Sequence, residues 1–572
     1  MTIREKEGCS KMKKQWKKQL TASVTAVSLL GALSGSAMAA SSLSKPGEDV
    51  KQQMPAPRAE VQDETEGQPQ VQPEVEFTIG NFTLDAHELY LDKAELTRIL
   101  QNGMGKNRTM SQLNVTLNSI TRYCRQHGYP AAAAYVPAQE SSDGMIIIKV
   151  IPGRYGEIKL DNQTRMKEKV ARGFVNGLKP GDIIRTKNLE SALYSLSDIS
   201  GTRAVGVLSP GKEFGTSDLT VRIEKGKGSN TILYVENYGS QNSGRYRYGL
   251  QHNVYDVGGT GGKASVGTMI SNADMHNYYA NYEALIGHGG TMLGVGYSRM
   301  DYKVGGSMRS LGANGVANTY SVFGSRPLYH FTRSGLTATY GYDYRKLRDD
   351  MDMFNDSKRK HSHSVHAGVN GFERRDGFTA NYGATVTTGT LGFDSADARR
   401  TLADGHTEGR FTKGEANVTV VQKLGYRADV MVKGSGQIAS RNLDGSEEMY
   451  LGGSSGVRAY PQGEGSGDEG VMGTVETRFY TDIPGLVFST YIDGGHVWFN
   501  NDRSPDRQGS AGSLGQWSSG ETLWGWGLGL SYTKANDWFT RLDYARRIGD
   551  DPNLSKAALA KGRTWFMMGK IW

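Results

Sequence analysis

The chain has 572 residues, and its 67 lysines and arginines outnumber its 59 aspartates and glutamates, giving a formal net charge of +8. Residues 1–39 contain seven of those basic and two of those acidic residues, so the rest of the chain carries only about +3, which argues against nucleic-acid binding. The mean hydropathy is −0.52, and no run of eighteen apolar residues follows residue 40, which excludes a membrane-spanning helix there.

The N-terminal part of the chain predicts an export signal followed by a linker. A basic segment with Lys11, Lys13, Lys14, Lys17 and Lys18 precedes a short apolar stretch, Leu20–Leu33, and Ala37–Ala39 forms an A-x-A cleavage site. Residues 1–39 are therefore predicted to be a signal peptide. Residues 40–75 are rich in Pro, Gln, Glu and Asp and have too few apolar residues to build a core, so they are predicted to be a disordered linker.

The next part of the chain is predicted to form two repeated units, 76–152 and 153–226, each in the order β-α-α-β-β. The longer helix of the first unit, near Ser111–His127, has one apolar face at positions i, i+4, i+7 and i+11. Cys124 lies on that face and is therefore predicted to be a core residue rather than a reactive thiol. Because Cys9 leaves with the signal peptide, no intrachain disulfide is predicted.

Residues 227–572 are predicted to close into an all-β barrel in an outer membrane. In Leu336–Arg345, for example, every second residue is apolar or aromatic and the others are small, polar or charged. Glycine is enriched here, with 56 of the 75 glycines after residue 225, and Trp572 ends the chain on an aromatic residue. A soluble β-sandwich also alternates, but tyrosines and tryptophans near strand ends favour the membrane barrel. The 346 residues accommodate about sixteen antiparallel strands.

The order of these parts resembles the two-partner secretion transporters, the haemolysin secretion and activation family, in which POTRA domains precede a barrel. The string YCRQHGYPAAAAYVPAQ, followed by GMIIIKVIPGRYGEI, resembles the usual end of the first POTRA domain in that family. In the barrel, the loop LGGSSGVRAYPQGEGSGDEG resembles the V-R-G-Y and G-D-x-G motifs, with Ala459 in place of the usual glycine, and a later strand resembles the F-x-D-x-G motif. The matching residues are Val457, Arg458, Tyr460, Asp468, Gly470, Tyr491, Asp493 and Gly495.

The resemblance implies a fold and a site. The expected fold is a membrane barrel of about sixteen antiparallel strands behind two periplasmic α+β POTRA domains. The resemblance also implies that the V-R-G-Y loop folds back into the lumen, where Arg458 and Tyr460 lie near Asp493 and the arginine pairs with the aspartate. A guanidinium suits this role because it binds a carboxylate through two parallel hydrogen bonds. Taken without the surrounding motifs, Arg458 and Asp493 would be interpreted as ordinary solvated charges.

The resemblance further implies a set of partners and a function. The partners are a secreted exoprotein, typically a large β-helical adhesin or haemolysin, the outer-membrane lipid, and the barrel-assembly machinery that recognises a last strand ending at Trp572. We expect an unfolded exoprotein to add a strand beside Ala132–Val136 and the neighbouring helix and then to pass through the barrel. The alternatives are a barrel-inserting assembly factor of the same superfamily, which normally has three to five POTRA units, a passive porin and, more distantly, a soluble enzyme.

Three strings in the barrel segment imitate catalytic or metal sites. Gly452–Gly456 matches G-x-S-x-G but lacks the preceding strand and following helix that a nucleophile elbow needs. Gly465–Gly470 matches G-x-G-x-x-G, yet a strand continues where a dinucleotide site needs a helix. His361, His363 and His366 have no carboxylate or cysteine at useful spacing. The sequence therefore predicts no catalytic residue, no metal site and no cofactor, and the protein is not expected to be an enzyme.

Overall fold

Two small α+β units precede a closed β-barrel in the computed structural model of the chain. The structure describes residues 61–63, 76–139, 144–199, 202–287, 289–394, 407–501, 519–549, 555 and 558–572. The predicted signal peptide, 1–39, and all of the predicted linker except Val61–Asp63 lie outside the described residues. None of the described helices has the length and apolar character needed to cross a membrane.

The described helices are α1 (Lys93–Gly103), α2 (Met110–Gln126), α3 (Glu168–Val175) and α4 (Thr186–Ser197), with short 3-10 helices at Gly306–Leu311 and Asp352–Phe354. The strands before the barrel are β1 (Val61–Asp63), β2 (Glu76–Ile79), β3 (Asn81–Asp85), β4 (Gly105–Thr109), β5 (Ala133–Tyr135), β6 (Met145–Ile151), β7 (Arg154–Asn162), β8 (Thr202–Pro210) and β9 (Thr216–Lys225). The remaining strands are β10 (Ser229–Glu236), β11 (Arg247–Val257), β12 (Gly262–Ser271), β13 (Met275–Leu285), β14 (Met292–Lys303), β15 (Ala313–His330), β16 (Ser334–Met351), β17 (Asp356–Arg375), β18 (Phe378–Phe393), β19 (Gly409–Lys423), β20 (Ala428–Ala439), β21 (Met449–Tyr450), β22 (Ser466–Gly467), β23 (Glu469–Tyr480), β24 (Leu486–Trp498), β25 (Gly520–Thr533), β26 (Trp538–Arg547) and β27 (Gly562–Ile571).

The first unit packs α1 and α2 against a sheet with the order β3-β6-β5. Helix α2 begins with a capping box between Thr109 and Gln112, and its buried face meets the sheet. Cys124 on that face is fully buried, and burial raises the pKa of its thiol to about 11, as expected of an inert core residue. Between the helices lies the short strand β4, which pairs with β2 and was not predicted because its residues are polar and do not alternate.

The second unit has the sheet order β1-β8-β9-β7 with α3 and α4 packed against it. Strand β1 comes from the segment predicted to be a disordered linker, and it pairs in parallel with β8, with Gln62 opposite Val207. The linker is therefore not structureless along its whole length. Composition did not predict β1 because an edge strand of three residues needs only backbone hydrogen bonds to its neighbour.

Sixteen strands of the described chain form the barrel, β10 to β20 and β23 to β27, and each is antiparallel to the next. Pairing of β10 with β27 closes it, with Ile232 opposite Ile571. In β16, Tyr340 and Tyr342 lie exposed on the outside of the barrel, whereas Arg345 on the other face contacts a loop inside it. The predicted fold class, a closed barrel behind α+β units, is confirmed.

The second unit is fixed to one end of the barrel, which we call the near end. Tyr194 of α4 stacks on His330 at the end of β15, with ring centroids 4.7 Å apart, and Asp198 lies 2.6 Å from the same imidazole. Thr332 in the next turn donates a hydrogen bond of 2.6 Å to Glu190. The turns between β11 and β12, β13 and β14, and β15 and β16 are therefore at the near end, and the alternate connections are at the far end.

Candidate functional site in the barrel lumen

The connection between β20 and β23, residues 440–468, starts at the far end and folds back into the barrel; we call it the loop, and residues 453–463 its tip. Val457 and Tyr460 of the tip are almost fully buried and pack with Tyr491 and Leu523 of the wall. The fold of the tip depends on Gly456, because a Cβ there would lie 1.9 Å from the carbonyl oxygen of Leu451. A glycine thus lets the chain turn sharply and present Arg458 to the wall.

Arg458 binds Asp493 of β24 through two donors on one edge of the guanidinium. Its Nε donates to Oδ2 at 2.9 Å, its Nη2 donates to Oδ1 at 2.8 Å, and its backbone N–H also donates to Oδ2 at 3.1 Å. Asp493 is fully buried, and the hydroxyl of Thr474 donates to its Oδ1 at 2.9 Å. This planar, bidentate contact fixes the orientation of the arginine as well as its distance from the wall.

Two further buried carboxylates and a half-buried second arginine complete the group, which we call the tip cluster: Arg458, Asp493, Glu476, Asp543 and Arg541. Arg458 Nη1 donates to Glu476 at 3.0 Å and to Asp543 at 3.4 Å, and Arg541 Nε donates to Asp543 at 2.7 Å. The three carboxylates and two guanidiniums leave one net negative charge. Burial acts to lower the pKa of Arg458, but the hydrogen bonds and charge of Asp493 raise it above its usual value, so the arginine stays charged.

Aromatic side chains enclose the arginine. The guanidinium carbon of Arg458 lies 3.1 Å from the centroid of the Tyr491 ring, and the indole of Trp565 on β27 donates to the Arg458 carbonyl oxygen at 2.6 Å. Trp565, Glu476, Arg541 and Asp543 were missed by the sequence analysis. Their only sequence signal is their position on the lumen side of alternating strands, which many other polar residues share.

The other motif residues lie around the loop rather than in the tip cluster. Asp468 accepts hydrogen bonds from the backbone N–H groups of Leu443 and Asn501, both at 2.9 Å, and so joins the base of the loop to the following far-end connection. At Gly470 a Cβ would lie 2.7 Å from Val497, and at Gly495 it would lie 2.7 Å from Leu451, so both permit close packing.

Ala459, where the family motif has glycine, fits without strain. Its φ is not among the positive values of the described residues, and its side chain is buried against the wall. The wall supplies the space, because Gly525 of β25 faces the Ala459 side chain. A Cβ at Gly525 would lie only 2.5 Å from the Cβ of Ala459. The alanine therefore leaves the geometry of the tip intact.

Comparisons with known proteins identify the family. The sequence profile described as haemolysin secretion/activation protein ShlB/FhaC/HecB matches residues 215–532, and the profile of the ShlB-type POTRA domain matches residues 77–153. The chain belongs to this family. The family is one of outer-membrane two-partner secretion transporters, as the motifs predicted, so the near end of the barrel and the POTRA units lie in the periplasm.

Relatives cover most of the chain. The heme/hemopexin transporter protein HuxB of Haemophilus influenzae is 28% identical over 497 residues, 86% of each chain, and the outer membrane transporter CdiB of Dickeya dadantii is 22% identical over 483 residues, 81% of each. Among solved structures, CdiB from Escherichia coli has a TM-score of 0.63 at 19% identity and covers 89% of this chain and 92% of that one. BamA from Haemophilus ducreyi shares the fold more distantly, with a TM-score of 0.51 at 15% identity over 87% of this chain and 100% of that one. The family match favours secretion over the alternative of a barrel-inserting assembly factor.

Proposed function

We propose that this transporter captures an unfolded exoprotein at its POTRA units and exports it through the barrel when the tip of the loop leaves the lumen. The observation that carries the proposal is the bidentate contact of Arg458 with Asp493, which holds a buried tip inside a sixteen-stranded barrel. Barrels of this size leave an aqueous channel wide enough for an extended chain when the lumen is not filled. Seating and release of the tip would then close and open the channel.

The best supported capture surface is the outer edge of β5 beside α2, in the first POTRA unit. Strand β5 is an edge of its sheet, so an extended segment can add to it through backbone hydrogen bonds. Two backbone groups along this edge are held by the helix: the Ala134 N–H donates to the Thr121 hydroxyl at 2.9 Å, and Arg125 Nε donates to the carbonyl of Ala132, just before β5, at 3.2 Å. A client strand would replace these two side-chain bonds with backbone bonds.

The corresponding edge of the second POTRA unit is already paired. Strand β8 has the same place in its sheet as β5 has in the first unit, and β1 lies along it over Gly206–Leu208. An exoprotein would have to displace β1 before it could add a strand there. This contrast favours the first unit as the place of capture.

The cargo we propose is a large β-helical adhesin or haemolysin. HuxB is described as a heme/hemopexin transporter and CdiB as an outer membrane transporter. Membership of the haemolysin secretion/activation family supports a secreted protein as the cargo of this chain. Folding of the exoprotein outside the cell would supply the direction of transport. We also propose contacts of the outward aromatic residues with lipid, and recognition of β27, with Phe566, Met568 and Trp572 at even spacing, by the barrel-assembly machinery.

The test is Arg458→Ala, assayed for export of the cognate exoprotein. Export under this proposal needs the tip to alternate between its seated and released positions. Removing one partner of a buried ion pair costs about 3–5 kcal/mol, so the tip would no longer return to its seat, the channel would leak, and export should fall at least about tenfold. Barrel assembly should be unchanged, as measured by heat-modifiable electrophoretic mobility. Arg458→Lys is the matched control: it keeps the charge but not the fork, and intermediate export is expected. Normal export from Arg458→Ala would remove the arginine from the mechanism.

A further inference from the structure

The loop has a second buried ionic contact with the barrel wall, separate from the tip cluster. Glu447 accepts a hydrogen bond of 2.6 Å from Arg345 Nη1 and lies 3.1 Å from Lys413 Nζ, while Asp444 accepts one of 2.6 Å from Lys360 Nζ. These three wall residues belong to β16, β19 and β17. The partners of Arg458 belong to β23, β24 and β26. The loop is thus bound to two different parts of the wall.

The segments that lead into and out of the tip form a paired stem, residues 440–452 and 464–468. Strands β21 and β22 pair within it, and the N–H groups of Leu451 and Gly452 donate to the carbonyl oxygens of Gly465 and Glu464, both at 2.8 Å. Glu464 accepts from the Ser555 N–H at 2.9 Å and from its hydroxyl at 2.6 Å. The stem is therefore braced on both sides.

The two ionic contacts differ in what remains when the loop leaves. At the tip cluster, Arg541 is bonded to both Glu476 and Asp543, so a cation stays with these carboxylates if Arg458 departs. At the stem, the wall's own carboxylates are farther from the lysines than the loop's: Glu415 is 3.5 Å from Lys413, and Asp349 is 3.7 Å from Lys360. Withdrawing the stem would therefore cost both lysines their closest ion pairs, in addition to the loss of Arg458 from Asp493 that withdrawing the tip already causes.

The Asp444 carboxylate of the stem also stays charged over a wide pH range. Burial acts to raise the pKa of Asp444, but the charge and hydrogen bond of Lys360 and the hydrogen bonds from Ser446 lower it to about 2. Lys413 is 2% exposed and also donates to the Glu447 carbonyl oxygen at 3.3 Å. Backbone and side chain of Glu447 are therefore both fixed to the wall.

We propose that Glu447 and Asp444 anchor the stem to the wall as positioning residues, so that opening the channel moves only the tip, residues 453–463. The stem then acts as a permanent part of the wall. The tip turns about Gly452 and Gly453, and the φ of Gly453 is +134°. The exported chain passes beside the stem rather than through a fully emptied lumen. This inference rests on the proposed function, because it specifies how the loop gives way during export.

Two cysteine tethers in the full-length protein test the proposal. Ala459→Cys with Gly525→Cys ties the tip to the wall, since their Cβ atoms face each other and need to separate only to about 3.8 Å for a disulfide. Glu447→Cys with Lys413→Cys, joined by a short reducible thiol cross-linker, ties the stem. The thiol of Cys124 is buried and does not compete. Export of the exoprotein is measured before and after reduction of each tether.

The outcomes separate this inference from the proposed function. Export should stop in the tip-tethered protein and return on reduction, whereas the stem-tethered protein should export at least as well as its reduced form. Loss of export on tethering the stem would overturn the inference and leave the proposed function standing. Continued export with the tip tethered would overturn the proposed function itself, and the inference with it.

A conductance measurement checks the anchor without a tether. Glu447→Gln keeps the size of the side chain but removes the charge that faces Arg345 and Lys413, so the purified protein in planar bilayers should open at least about tenfold more often. Glu373→Gln is the matched control, because Glu373 is an exposed acid at the near end of β17. An unchanged opening frequency for Glu447→Gln would contradict the anchoring role.

Discussion

The charge balance of the tip cluster depends on which of its members is removed. The intact cluster has one net negative charge, because three carboxylates surround two guanidiniums. Arg458→Ala would leave two net negative charges in a buried site, whereas Asp493→Asn would leave none. An asparagine also keeps an oxygen that can accept from the guanidinium, so the second substitution preserves part of the geometry.

We therefore predict that Asp493→Asn opens the channel less than Arg458→Ala does. In planar bilayers the basal conductance of Asp493→Asn should lie between that of the wild type and that of Arg458→Ala, with a difference between the variants of about 1–3 kcal/mol in the closed-to-open equilibrium. Thr474→Val, which removes the hydroxyl bonded to Asp493, should have a smaller effect than either. Equal or larger leakage from Asp493→Asn would show that its contact with Arg458, and not the charge balance, determines closure.

At the scale of single elements, the outer edge of β5 is already hydrogen-bonded to side chains of α2. Replacing Thr121 by Val keeps the shape of the side chain but removes the oxygen that accepts from the Ala134 N–H. A client strand would no longer compete with this bond, so its affinity for the first POTRA unit should rise about fivefold, equivalent to ~1 kcal/mol. Binding of an unfolded exoprotein segment, measured by fluorescence titration, checks this.

The control for Thr121→Val is Thr97→Val on α1, where the hydroxyl bonds the carbonyl oxygen of Lys93 within the helix. That variant should bind the exoprotein segment as the wild type does. If Thr121→Val bound no better than Thr97→Val, the client would not add to the outer edge of β5.

Strand β1 protects the corresponding edge of the second unit. If Val61, Gln62 and Asp63 are all replaced by proline, the segment can donate no backbone hydrogen bond to β8 and should leave it. Hydrogen exchange of the backbone amides of Gly206–Leu208 should then speed up at least about fivefold, and a second binding site for the exoprotein should appear. Prolines at Thr65, Glu66 and Gly67 provide a control with the same number of added prolines. Unaltered exchange at β8 would contradict the pairing.

The elements that the sequence predicted are those whose patterns are local. Leu336–Arg345 shows both faces of β16 because a strand has a period of two, and Cys124 falls on the apolar face of α2 because a helix has a period of 3.6. Strand β1 could not be predicted, since the partner that it has among the described residues is the backbone of β8, more than 140 residues later in the chain. Strand β4 could not be predicted either, because a short polar strand has no alternation of apolar and polar residues.

At the scale of the whole molecule, the site could be predicted only in part. The motif resemblance pointed to Arg458 and Asp493, which the barrel brings together from a loop and a strand. It did not point to Glu476 or Asp543, because their strands become neighbours of the tip only when the barrel closes. The stem anchors were missed for the same reason: Glu447 meets Arg345 across about a hundred residues of chain.

The whole transporter also depends on how firmly the second POTRA unit is attached to the barrel. Tyr194 of α4 is buried between the unit and the near end, where it stacks on His330 and donates to the Thr332 hydroxyl at 3.2 Å. On the proposed function, we expect captured cargo to enter the lumen only if this unit holds a fixed position at its mouth. The junction would then link capture to export.

We predict that Tyr194→Ala loosens this junction and uncouples capture from export. The substitution removes a buried aromatic side chain, which typically costs about 3–5 kcal/mol. Of the two α4-side contacts with His330, only the one from Asp198 would remain. Distances between spin labels in the second unit and in the near-end turns should broaden, and export should fall several-fold, while barrel assembly and exoprotein binding stay normal. Tyr426→Ala is the matched control, because Tyr426 lies in a near-end turn with 88% of its surface exposed. Undiminished export by Tyr194→Ala, with the label distances broadened, would mean that cargo reaches the lumen without a fixed POTRA unit.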